Sequence, residues 1–244
     1  MSLLSSESLQ LDVGPHGLSL SSGGKAARAP VCAMTQALAP DALAAALQAI
    51  PPAATPRRAR VTVGVDDAWV RWQVIDMPPG VFAPDERHAL VRARMMEVFG
   101  SMAQGWSFAW DAQPADRVLA CAMDAALPQV LSEWCAARGL RLVSVQPAWL
   151  RAYAAFRGAA PLGGFARLSR GWLCMGLWSG GRWLHMRGEA LSDPAGLADV
   201  LERRLSLFDG ALEGGQLFVQ GALAPASALS LPRGWCCIAG GAGA

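Results

Sequence analysis

The sequence predicts an α/β protein of two lobes, with mixed sheets flanked by helices. Three observations carry that reading. Apolar strand-like runs alternate with amphipathic helical stretches in both halves of the chain. A Gly- and Pro-containing stretch, residues 157–164, separates the halves. The chain has 244 residues, 53% of them hydrophobic and only 16% charged, enough to bury a core in each lobe. The expected boundaries are 1–156 for the first lobe, 157–164 for the linker and 165–244 for a second, reduced lobe.

The elements follow in order. Leu9 to Asp12 and Leu18 to Ser21 alternate apolar and polar residues around Gly14-Pro15-His16-Gly17, the pattern of a β-hairpin. Ser21 to Pro30 reads as a polar loop. Pro40-Asp41 opens a helix with Leu43, Leu47 and Ile50 on one face, and Pro51-Pro52 closes it. Val61 to Val65 is a strand, Asp66-Asp67 a turn, and Trp69 to Ile75 a returning strand. Pro84-Asp85-Glu86 starts a helix that Gly100 stops. Trp106 to Trp110 and Arg117 to Met123 are strands. Asp124 caps a helix ending at Gly139, Leu140 to Val145 is a strand, and Pro147 opens a further helix. Three strands follow at Phe165–Leu168, Trp172–Trp178 and Arg182–Met186. An amphipathic helix over Pro194–Phe208 and a buried strand at Leu217–Val219 complete the second lobe.

Several function classes drop out early. A net charge of +2 gives no electrostatic footprint for nucleic acid. No apolar run reaches the roughly 20 residues that span a bilayer, and Met1 to Gln10 has no secretory pattern, so a cytoplasmic protein without direct membrane insertion is expected. The six cysteines form no CxxC pair and lie far in sequence from His16, His88 and His185, so no metal site is expected. Cys121 and Cys174 sit in apolar strands and read as buried thiols. His88 reads as a solvated helix residue, Glu202-Arg203-Arg204 as a solvated helix face, and Asp66-Asp67 as a turn whose carboxylates diverge. Trp69 and Trp72, three apart in one strand, should face opposite ways, one into the core and one toward a partner surface. No Ser-His-Asp or Cys-His arrangement has motif support, and no catalytic residue is nominated.

Each half begins with a similar device: Leu11-Asp12-Val13-Gly14 in the first, Leu168-Ser169-Arg170-Gly171 in the second. A Gly-rich hairpin turn lets backbone N–H groups approach a phosphate, and a carboxylate at the strand end can hold Mg²⁺ through water. Leu9-x-Leu11-Asp12-x-Gly14 resembles the first phosphate motif of the actin/Hsp70/FtsA superfamily. The segment Val61 to Gly100 resembles the type II secretion L protein (GspL) and the pilus protein PilM. So does RVLACAMDAALPQVLSEWCAARGLRLVSVQP, with Asp124, Ala136, Gly139, Leu140 and Pro147 at the matching places.

The resemblance implies the actin-like (ribonuclease H-like) fold. It also implies a cytoplasmic scaffold of a type IV pilus or type II secretion assembly, peripheral to the inner membrane. The expected partners are an inner-membrane assembly protein, which supplies the membrane anchor, and the assembly ATPase. Three departures set the chain apart from nucleotide-binding members. Ser169 stands where the second phosphate motif carries Asp. Pro15 follows Gly14 where Ser or Thr is usual and removes an N–H. Gln220-Gly221-Ala222-Leu223 has one glycine where the adenosine motif has a pair. The expectation is a pseudo-ATPase without cofactor, with Asp12 and Gly14 marking a vestigial nucleotide site. The alternative is an actin-fold ATPase or kinase with weak Mg-ATP binding.

Overall fold

The computed structural model describes residues 8–22, 25–27, 39–80, 83–111, 116–156, 162–208, 214–221, 231–232 and 234–240. The chain divides into two compact units that interleave in sequence. Residues 1–70, 104–107 and 122–151 form one unit, and 71–103, 108–121 and 152–244 the other. Of the linker expected at 157–164, residues 162–164 are strand and the rest lie outside the described residues.

The first unit is built on a five-stranded sheet. Its strands are β1 (Ser8–Gly14), β2 (Gly17–Ser22), β3 (Lys25–Ala27), β4 (Arg60–Val65) and β8 (Arg141–Pro147), in the order β3-β2-β1-β4-β8. β1 and β2 are the predicted hairpin, and β1 runs parallel to β4 as β4 does to β8. Leu9, Leu11, Val13, Val61, Val63 and Val65 are buried on one face. Helices α1 (Pro40–Gln48) and α3 (Ala126–Ala137) pack together on this unit. The end of α1 leaves carbonyls without helical partners. Trp134 Nε1 donates to Leu47 O at 2.9 Å and Arg138 Nη2 to Gln48 O at 3.2 Å, so α3 supplies them. Gly139 then stops the α3 segment in the left-handed region at φ 65°, as its sequence position predicts.

The second unit contains the sheet β11-β10-β9-β12-β13, from β9 (Leu162–Ser169), β10 (Trp172–Ser179), β11 (Arg182–Ala190), β12 (Gly215–Gln220) and β13 (Trp235–Gly240). Helix α5 (Leu197–Ser206) buries Leu197, Leu201 and Leu205 against Leu173, Met175, Leu177 and Leu217 of that sheet. Burial of a leucine side chain stabilises by about 1.5–3 kcal/mol, so this stripe is the main anchor of α5. A three-stranded sheet, β5-β7-β6, is made by β5 (Arg71–Asp76), β6 (Trp106–Trp110) and β7 (Arg117–Asp124). Helix α2 (Pro84–Phe99) buries only Val91 and Met95, and Val98 is 59% exposed. Helix α4 (Ala148–Phe156) follows β8 directly.

Four sequence expectations need correction. β4 and β5 are not a hairpin: β4 joins β1 and β8, while β5 joins β7 in another sheet. A short 3-10 turn at Asp67–Trp69 carries the chain between them, so the local strand–turn–strand pattern misstated the pairing. Trp69 belongs to that turn, and both Trp69 and Trp72 are buried, so neither presents the exposed surface that was expected of one of them. The polar loop at 21–30 contains β3. Arg204 is not a solvated residue, because it forms a two-pronged ion pair with Glu189 at 2.9 and 2.8 Å.

Candidate functional site

The sequence-predicted residues Asp12 and Gly14 lie at the end of β1, in the hairpin with β2. Cross-strand pairing puts Ser19, Asp12, Gly64 and Gln146 in one row of the sheet and Ser21, Gln10, Thr62 and Ser144 in the next. Residues directly paired across strands share a face. These two rows are therefore opposite to the buried Leu and Val positions, and their side chains other than Gly64 are half-buried.

Asp12 is the charged centre of this face. Its Oδ1 accepts from Arg151 Nη1 at 2.6 Å, and its Oδ2 accepts from Gln10 Nε2 at 3.1 Å. Arg151 comes from the first turns of α4, 139 positions away. Gly64, beside Asp12 on β4, makes room for the pair: a Cβ there would overlap both Arg151 Nη1 and Asp12 Oδ1.

Gly14 has a different role from the one its motif implies. Its backbone is not in the left-handed region, whereas Gly17 at the other end of the turn has φ 118°. A Cβ at Gly14 would stand 2.5 Å from the Asp66 Cβ, so the residue is small because Asp66 packs against it. Asp66 in turn accepts from Ala68 N–H at 3.0 Å and caps the short turn. Asp67 points elsewhere. It is 1% exposed, and its Oδ1 accepts from the Trp149 N–H at 2.9 Å, in the first turn of α4. The two neighbouring carboxylates diverge, as the sequence reading expected. Sequence reasoning missed Arg151, Gln10, Gly64 and the buried role of Asp67. A lone charge in the apolar helix AWLRAYAAF was the available signal for Arg151.

The second device, in the other unit, is the turn between β9 and β10. Arg170 and Gly171 have φ of 48° and 79° between the paired residues Ser169 and Trp172. Positive φ at both central positions is the type I′ hairpin turn. The first hairpin has Pro15-His16 at its centre, neither with positive φ, so the two turns differ in backbone form as well as in sequence. Gly221, at φ 139°, follows β12; a Cβ there would overlap the Leu168 carbonyl oxygen. Ala222 and Leu223 lie outside the described residues. His88 is exposed and stands 5.8 Å from the Trp110 ring and 6.4 Å from Phe108. No group of three or more His, Cys, Asp or Glu side chains could hold a metal ion among the described residues. No described helix is long and apolar enough to cross a membrane.

A magnesium nucleotide, as the fold family uses it, fits these residues poorly. A divalent ion at Asp12 would meet a fixed guanidinium already bonded to the carboxylate. The first turn also offers no N–H at Pro15.

By sequence alone, no family profile and no curated protein matches the chain. Solved structures do match. The PilM–PilN type IV pilus biogenesis complex superposes with a TM-score of 0.69 at 18% identity, covering 95% of this chain and 88% of that one. The cytoplasmic domain of EpsL, an inner membrane component of the type II secretion system of Vibrio cholerae, gives 0.60 at 14% identity over 97% and 90%. A Bacteroides thetaiotaomicron protein of actin-like ATPase fold and unknown function gives 0.59 at 12% identity over 92% and 85%. The chain therefore has the actin-like fold, in a form similar to PilM and to the EpsL cytoplasmic domain.

Proposed function

We propose that the chain is a non-catalytic scaffold of a type IV pilus- or type II secretion-like assembly at the inner membrane. It binds a membrane-anchored assembly protein, and the assembly ATPase is its second partner. The observation that carries this reading is the near full-length likeness to PilM, solved in a complex with PilN, and to the cytoplasmic domain of an inner-membrane secretion component. The state of Asp12 supports the non-catalytic part. A carboxylate committed to Arg151 and Gln10 is poorly placed to organise a metal-bound phosphate.

Affinity capture from solubilised inner membranes, with the tagged full chain as bait, tests the scaffold. Recovery of a pilus or secretion inner-membrane protein is expected, and a capture containing none refutes it. Calorimetry with Mg-ATP tests the other half, using Asp12→Ala as control. No heat at millimolar ATP is expected. Micromolar binding that the control loses would return the chain to the ATPase or kinase class.

A further inference from the structure

We infer that Arg151 is a built-in counter-ion that takes the charge-balancing place a metal ion holds in nucleotide-binding members of the fold, so that Asp12 anchors helix α4 instead of a ligand. Three elements converge to make the contact. β1 supplies Asp12, α4 supplies Arg151, and β4 supplies the bare Gly64. An incidental surface pair needs no glycine beside it. Here any side chain at position 64 would displace both partners, so the backbone is shaped around the pair.

The chemistry is one-sided. A guanidinium presents its positive charge in a planar fork that matches a carboxylate, so Asp12 already faces a cation. The Arg151 side chain is 24% exposed against 47% for Asp12, so the cation is the better shielded partner. The second carboxylate oxygen is occupied by the Gln10 amide. A divalent cation would have to break the Arg151 contact or stand against a like charge at hydrogen-bonding distance.

The consequence lies in α4. Its first turns are tied to the first unit by two carboxylates: Asp67 holds the Trp149 N–H, and Asp12 holds the Arg151 guanidinium. The start of this helix is thereby fixed without metal or nucleotide. The inference deepens the non-catalytic reading and rests on it for its biological meaning, while the capture experiment above tests partner binding independently.

A double-mutant cycle on the full chain tests it, read as thermal midpoints of wild type, Asp12→Asn, Arg151→Gln and the double variant. Each scan is run with and without millimolar MgCl₂ and Mg-ATP. Each single change is expected to lower the midpoint by about 2–4 °C. The double variant should fall no further than the worse single. Gly64→Ala should lower the midpoint in wild type and by less in the Arg151→Gln variant, whose shorter side chain leaves the place of Nη1, the atom a Cβ at 64 would meet first. Magnesium and Mg-ATP should leave the wild-type midpoint within about 1 °C. A double variant that falls by the sum of the singles overturns the inference. So does a rise of several degrees with Mg-ATP that Asp12→Asn abolishes. Should Arg151→Gln be too unstable to scan, Arg151→Met replaces it in the same cycle and is read the same way.

Discussion

Asp67→Ala should be among the most damaging single changes in the first unit, although Asp67 sits in a turn and has no motif role. Its carboxylate is 1% exposed and accepts the Trp149 N–H at 2.9 Å. That N–H belongs to the first turn of α4 and has no acceptor within the helix. Pro147 just before it donates nothing, and the Trp149 side chain is fully buried. Truncation removes a hydrogen bond to a carboxylate, typically ~1.5–3 kcal/mol, and strands a donor away from water, typically ~1–3 kcal/mol. These overlap, and the net loss should be about 2–4 kcal/mol. At about 2–4 °C per kcal/mol for a chain of this size, the midpoint should fall by roughly 4–16 °C. Asp66→Ala is the internal control. It removes a carboxylate one residue earlier that caps only Ala68, which should cost about 1 kcal/mol. Urea unfolding followed by tryptophan fluorescence reads both, with Asp67→Asn expected between wild type and Asp67→Ala. If Asp67→Ala costs no more than Asp66→Ala, the argument that Asp67 holds α4 fails.

Two further predictions concern the second unit and the thiols. The Glu189 carboxyl is held below its ordinary 4.5, chiefly by the Arg204 hydrogen bond. Its folded pKa is depressed, so its stabilisation is complete above the ordinary carboxylate range and is lost as pH falls through the folded value. The midpoint gap between wild type and Glu189→Gln should therefore be constant from pH 7 to 5 and close below pH 4; a gap unchanged at pH 3 refutes the pairing. Among the described cysteines, Cys236 is exposed while Cys121, Cys135 and Cys174 are buried. Burial pushes the Cys121 and Cys135 thiols up to about 12 and about 11. At pH 8 a thiol-exchange reagent should modify Cys236 before Cys121, Cys135 and Cys174, which it should reach only after denaturant; early modification of any of these three, mapped by mass spectrometry, contradicts the burial.

Most of the fold was legible because strand alternation and helix punctuation are local. The β1–β2 hairpin, α2 with its Gly100 stop, the Asp124–Gly139 segment and the three strands of the second sheet all carry their own signals. Asp124 does accept the Ala126 N–H, at 2.9 Å. What failed was information held between segments. β3 is three residues long, too short to show a period. β13, WCCIAG, has no alternation, and only its parallel pairing with β12 makes it a strand. The β4–β5 error was of the same kind. The sequence shows two strands and a turn, but whether they pair depends on β1 and β8, which outcompete β5 for the edges of β4. The tryptophan error followed from it, since the opposite-face argument needs one continuous strand.

A motif match does not by itself assign a function to these residues. Asp12 and Gly14 match the first phosphate motif by residue type, yet each is also required by packing. Gly14 is required by the Asp66 side chain against it, and Asp12 by the guanidinium that α4 brings to it. Either need would retain the residue in a chain that had given up nucleotide. The residue that discriminates is therefore not in the motif. It is the counter-ion, because a half-exposed carboxylate already paired with a guanidinium offers a divalent ion little electrostatic gain. That residue lies on a helix 139 positions downstream, where no hairpin pattern could point to it. Gly64 carries the same message from the backbone side. It looks like an ordinary strand glycine, which would weaken the strand, and only the Asp12–Arg151 contact explains why the cost is accepted.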